Sequence, residues 1–252
     1  MKHLSLLLFF STLAVTPLLA EQTLPTEQEV LTGVLKSQGG NATLSKIQSM
    51  RIRGHIETQE ESIPFTLVRK KPNLVRLTLD YPKGSYAIAY NGHIVWSRLG
   101  GAPHKQVTIV TGENAKNFKL NAPFFGYLLE PTRYSTKINS IEWDTWNEQQ
   151  ILKVAISTED SKLIEYYLDP ESYQILRMVF HENANGKKIV RDSRFSDFRP
   201  TGTLTEAYHT EVITNGKPES TQTVNSFELN PGVLDTSFNP PEGTLTTKPK
   251  RD

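Results

Sequence analysis

Apolar residues early in the chain recur at helical spacing, and the spacing changes to alternation near Met50. Val30, Leu31, Val34 and Leu35 form one stripe, which predicts a helix from Thr26 to Gln38. Pro25 and Thr26 suit its start, Glu29 stands at the capping-box position, and Gly39-Gly40 ends it. A short second helix is predicted from about Ala42 to Gln48, with Leu44 and Ile47 on one side. From Met50 on, "MRIRGHIE", "IPFTLVR", "LVRLTLD", "YAIAY" and "HIVWS" read as strands, followed later by "ILKVAIS", "LIEYYLD", "QILRMVF", "KKIVRDSRFSDF", "AYHTEVI" and "STQTVNSFEL". The pairs Asn91-Gly92, Asn185-Gly186 and Asn215-Gly216 suit type I′ hairpin turns, because both residues tolerate positive φ. "LDPESY" marks a further turn at Asp169-Pro170. The pattern predicts an α+β protein, mostly antiparallel β, with a meander of roughly ten or eleven strands.

One stretch interrupts the alternation. Between Gly112 and Pro131, "GENAKNFKLNAPFFGYLLEP" clusters Phe124, Phe125, Tyr127, Leu128 and Leu129, which predicts a helical excursion packed on one face of the sheet. A sheet of this size with one apolar face cannot stay bare in water. The Val30–Leu35 stripe and the Phe124–Leu129 cluster are its natural cover, and a cover that packs imperfectly leaves a concave pocket for an apolar ligand.

Charge and composition narrow the picture. The 252 residues carry a formal net charge of +1, with 22% charged and 37% hydrophobic side chains. This balance argues against a nucleic-acid partner and allows a sizeable core. The chain has no cysteine, which excludes disulfides, thiolate metal sites and cysteine nucleophiles together. Lys2 and His3 precede "LSLLLFFSTLAVTPLLA", an apolar run broken by Pro17 and ending at Ala20. A basic start, a short apolar middle and a small exit residue predict a cleaved signal peptide over residues 1–20 and a periplasmic mature protein. Residues 21–243 then form one domain, and residues 244–252, which lack an apolar pattern, form a loose tail.

Candidate chemistry adds little. His181-Glu182 begins a metalloprotease-like pair, but residue 185 is Asn where the second ligand belongs. His55, His93, His104 and His209 fall at no metal spacing, and no nucleophile elbow, phosphate loop or dinucleotide fingerprint occurs. The expectation is a protein without metal, cofactor or catalytic set. Trp96 ends an apolar strand and reads as core, whereas Trp143 and Trp146 suit a rim.

The stretch "VRKKPNLVRLTL" concentrates Arg69, Lys70, Lys71 and Arg76. Strands over Ile63–Arg69 and Leu74–Asp80 make residues 70–73 their connection, since Pro72 cannot donate to a ladder and Asn73 favours turns. Val75, Leu77 and Leu79 share one face. The simplest account of the charges is a solvated corner guarding the sheet.

"VRKKPNLVRLTL" also resembles the Lys-Arg-Pro-Asn hairpin of the LolA/LolB-like fold, found in periplasmic lipoprotein carriers and the outer-membrane lipoprotein-sorting superfamily. "YAIAYNGHIVW" resembles the strand, turn and Trp strand that follow it, and "NAPFFGYLLEP" the Pro-Phe helix laid across the sheet. "SFNPPEG" resembles the closing segment, "DFRPTGTL" the Arg-Pro loop, and "LKSQGGNATLSKIQSMRIRG" the lead-in with its Gly-Gly break. The match runs from about Thr26 to Gly243 in unchanged order.

The resemblance implies an open half-barrel covered by helices, whose apolar cavity takes acyl chains at about 0.8 kcal/mol per buried CH₂. It implies a lipid or lipidated protein as cargo and a transient membrane-protein partner. The alternative is a periplasmic sensor or scaffold for lipidated or membrane proteins. The cavity set expected from sheet and lid is Phe65, Leu67, Val75, Leu77, Leu79, Ile88, Tyr90, Phe124, Phe125 and Leu128. The carriers latch their lid with an Arg directly before the hairpin Pro; Lys71 stands there in this chain, so Lys71 and nearby Arg69 are the latch candidates.

Overall fold

The computed structural model describes residues 23–100, 107–159, 162–184, 186–241 and 245–246. The expected signal peptide, most of the expected tail, His104 and Asn185 lie outside these residues.

Helix α1 (Glu27–Ser37) carries the expected capping box: the Glu29 backbone N–H donates to Thr26 Oγ1 at 3.3 Å, and the Thr26 N–H donates to Glu29 Oε2 at 2.7 Å. Val30 and Val34 are fully buried. The helix seats closely because Gly33 faces the Tyr173 ring, where a Cβ would lie 2.4 Å from the nearest ring atom. Helix α2 (Gly40–Leu44) is shorter and earlier than the spacing predicts, with Ile47 buried just beyond its end.

The strands are β1 (Ser49–Glu57), β2 (Ser62–Lys70), β3 (Leu74–Tyr81), β4 (Gly84–Tyr90), β5 (Val95–Leu99) and β6 (Val107–Val110). After α3 (Gly112–Lys119) come β7 (Lys137–Trp146), β8 (Gln149–Ser157), β9 (Leu163–Leu168), β10 (Ile175–Ala184), β11 (Lys187–Thr201), β12 (Leu204–Thr214), β13 (Lys217–Leu229) and the two-residue β14 (Leu245–Thr246). They form one 14-stranded open sheet in the order β14-β6-β5-β4-β3-β2-β1-β13-β12-β11-β10-β9-β8-β7. All pairings are antiparallel except that of β14 with β6.

This order exceeds the predicted ten or eleven strands by β6, β7 and β14. β6 and β14 are very short, and β7 hides its alternation behind a register shift between Ile138 and Ser140. The turns also differ in detail. Asn215 and Gly216 both have positive φ, as a type I′ turn requires. At Asn91-Gly92 only Gly92 does, and Asn91 Oδ1 instead accepts from the N–H groups of His93 and Ile94. A pair without glycine, Asn147-Glu148, turns β7 into β8 with both φ values positive.

The topology places the lid. β6 lies toward one margin of the sheet and β7 forms the other, so the chain between them must traverse the whole sheet. Residues 111–136 make that crossing. α3 is its helical part; the Phe124–Leu129 cluster is a run of bends and turns, contrary to the predicted helix. Pro123 has no N–H to give, Gly126 adopts φ 88°, and Arg69 takes the carbonyls of Asn121 and Pro123 that a helix would pair internally.

Candidate functional site

The four basic residues of the β2–β3 hairpin are built into the fold. Strand alternation sends Arg69 to the face crossed by the lid and Lys70 and Arg76 to the other. Lys70 Nζ donates to the Val233 carbonyl at 2.7 Å and pairs with Asp235 at 2.6 Å, and Arg76 donates to the Ser237 carbonyl at 3.0 Å. These contacts hold the C-terminal segment on the outer face. There Phe238 is fully buried and its carbonyl accepts from the Trp96 indole N–H at 2.7 Å. The solvated-corner account therefore gives way to two clamps, one for each face.

On the lid side, Arg69 Nη2 donates to the Asn121 carbonyl at 3.1 Å and to the Pro123 carbonyl. Lys71 Nζ donates to the Leu44 carbonyl at 2.8 Å and lies 4.9 Å from the Phe125 ring centroid and 5.9 Å from that of Phe124. Lys71 thus ties the end of α2 to the lid, while Arg69 ties the lid to the sheet. The Tyr134 hydroxyl donates to the Pro72 carbonyl at 3.1 Å. At the start of the crossing, Lys162 Nζ pairs with Glu113 at 2.9 Å and Asn117 donates to the Asn183 carbonyl at 2.9 Å. Burial lowers the pKa of Arg69, opposed by the charges of Glu206, Tyr134 and Glu130. Burial also lowers that of Lys71 and raises that of Glu130, and it pushes the Tyr134 phenol up to about 12 with help from Glu130.

Between lid and sheet lies a cavity of about 380 Å³. Leu67, Val75, Phe124, Phe125 and Leu128 of the expected set line it, and so does Arg69. Phe65 is buried instead over Gly54, and Tyr90 lines a second hollow of about 210 Å³ with Lys116, Lys119 and Tyr134. Leu77, Leu79 and Ile88 share the face of Leu67 and are half-buried, but they lie outside the cavity wall. The sequence did not single out the wall supplied by the second half of the chain: Met178 and Phe180 from β10, Phe195 from β11, Thr210 and Glu206 from β12, and Gln222 and Phe227 from β13. Met50 and Ile52 from β1 alternate visibly and were the legible signal.

Glu206 is the unusual member of this wall. It makes no hydrogen bond or ion pair among the described residues, and burial pushes its carboxyl up to about 7 against the pull of Arg69. Among those residues no three His, Asp or Glu side chains gather as metal ligands, and no helix is long and apolar enough to cross a membrane.

No family model matches the chain, and no curated protein matches it in sequence. Solved structures do match. A putative outer membrane lipoprotein-sorting protein domain from Vibrio parahaemolyticus aligns at 13% identity and a TM-score of 0.57, covering 85% of this chain and 97% of that one. A LolA superfamily protein from Nitrosomonas europaea aligns at 11% identity and 0.58, covering 86% and 98%. A DUF1329 family protein from Desulfovibrio piger gives 11% and 0.58, covering 84% and 96%. The protein has the LolA-like fold, an open antiparallel half-barrel.

Proposed function

We propose that this protein is a non-enzymatic periplasmic carrier that holds lipid or lipidated cargo by an acyl chain in the concave hollow, in the manner of lipoprotein sorting to the outer membrane. The observation that carries the proposal is the cavity of about 380 Å³ between one open sheet and the lid that crosses it. A space of this size lies near the lower end of small-molecule pockets, roughly 300–1,000 Å³, and suits one chain better than several. Burial of hydrocarbon at about 0.8 kcal/mol per CH₂ supplies affinity without any reactive group. The lipoprotein-sorting domain and LolA superfamily protein of like fold support this direction. The leader read in residues 1–20 supplies the export route.

Native mass spectrometry after mild purification, followed by lipid extraction, tests the proposal. The expected result is co-purified acyl lipid or lipidated protein, and saturable binding of a fluorescent fatty acid. Ligand-free protein that binds no such probe overturns it. A stoichiometric protein partner on cross-linking, with no acyl cargo, points instead to a sensor or scaffold.

A further inference from the structure

The cavity is not uniformly apolar. Its β11–β13 wall includes Ser193, Glu206, Thr210 and Gln222, and Arg69 faces in from β2. Two of these groups are ionisable, Arg69 and Glu206. The Arg69 contacts to the lid use Nη2, leaving Nε shielded from solvent without an acceptor. Glu206 has neither a hydrogen bond nor an ion pair among the described residues, and its electrostatic neighbour is Arg69. A buried donor without an acceptor is costly, and so is ionising a half-buried carboxyl that only Arg69 offsets. Hydrocarbon relieves neither. A ligand oxygen relieves both, because Arg69 Nε–H and a protonated Glu206 can each donate to it. An ammonium head would instead meet the Arg69 charge.

We propose that the cavity recognises the carbonyl head of a single acyl chain between Arg69 and Glu206, with the tail lying against Ile52, Leu67, Phe195 and Phe227. This rests on the acyl-carrier reading and adds a polar anchor to it. The carbonyl oxygen is common to a free fatty acid and to an esterified chain, so the two sources need separate probes. Other titratable groups near the pair are on the lid and β9. Glu130 and Tyr134 act on Arg69, and Tyr166 from β9 lines the same space. Tyr134 and Tyr166 are both shifted upward by burial and stay neutral near pH 7, while Glu130 is also shifted upward.

The test compares hexadecanoic acid, methyl hexadecanoate and hexadecylamine as competitors of one fluorescent acyl probe, below their aggregation limits. At pH 6.5 the acid or the ester is expected to bind at least about tenfold more tightly than the amine, equivalent to about 1.4 kcal/mol. An acid preference identifies the free fatty acid as source, and an ester preference the esterified chain. From pH 6 to 8.5 the acid is expected to weaken several-fold as Glu206 loses its proton. Glu206→Gln keeps a donor and flattens that dependence, which separates Glu206 from Glu130. Glu206→Leu lowers affinity for the preferred head about tenfold. Arg69 also holds the lid, so these Glu206 variants carry the test. Equal binding of all three heads, or a ranking unchanged by Glu206→Leu, overturns the anchor and leaves the carrier reading intact. Binding of none overturns the carrier reading itself.

Discussion

The lid-facing side of the sheet divides into a solid half and a hollow half. Over β8–β10, α1 brings Val30 and Val34 onto Leu152, Val154, Ile156, Ile164 and Leu168, all essentially inaccessible to solvent, with Tyr127 and Leu128 completing the cover. Over β1–β3 and β11–β13, Leu44 of α2 and Leu35 of α1 pack with Met50, Leu204, Phe227 and Leu229, and the cavity lies beside them, bounded toward β9 and β10 by Val34, Tyr166, Met178 and Phe180. The facing residues include Ser193, Thr210, Gln222, Glu206 and Arg69 among the apolar ones, and the cavity remains. Both halves belong to one hydrogen-bonded sheet. The difference therefore comes from what covers the strands and from the polar residues on their inner face. One half is closely packed, and the other keeps an open space.

Truncation should separate the halves most sharply. Leu152→Ala or Ile164→Ala is expected to cost about 2–5 kcal/mol, whereas Leu67→Ala, already beside open space, should cost under about 1.5 kcal/mol. Chemical denaturation measures both, and equal losses would erase the distinction. Gly33→Val comes next: its side chain must displace the Tyr173 ring, so about 1–3 kcal/mol is expected from the same measurement. Filling the hollow reverses the pattern. Leu67→Trp should leave stability within about 1 kcal/mol of the parent yet reduce fatty-acid binding at least about tenfold in fluorescence titration.

The smallest effect concerns pH. Glu206 has a folded pKa of about 7 against an ordinary value of 4.5, so the folded state retains its proton over that interval. Stability from this group is fully present below about pH 4.5 and is lost as the pH rises through about 7. Because the carboxyl opens onto the cavity, about 1 kcal/mol is expected rather than the full value of the shift. Thermal melts of the parent and Glu206→Gln between pH 4.5 and 8 measure it as a difference in slope.

Much of the first half was legible in the chain. The α1 stripe and capping box, the β2–β3 hairpin and the shared face of Leu67 and Val75 follow from local periodicity and turn chemistry. The second half was less so. Residues skipped by the pairing, Asn139 on β7 and Glu219 and Asn225 on β13, change the phase of alternation. Asp197, at φ 53°, interrupts β11 as well. Glu206 and Thr210 share the inner face of β12 with the buried Leu204 and Val212, but they are polar, as is Gln222 on β13, so hydrophobic alternation does not mark them.

The first helix, eleven of the strands, their antiparallel meander and the apolar nature of the crossing segment were determined by the sequence alone, because each is set by neighbours a few residues apart. The strand order decided the rest. By setting β6 and β7 far apart it drew residues 111–136 across the concave face, and it divided the hairpin's basic residues between two clamps. It also brought Arg69 and Glu206, distant in the chain, to one hollow. Such meetings depend on pairings between remote segments, and no local pattern encodes them.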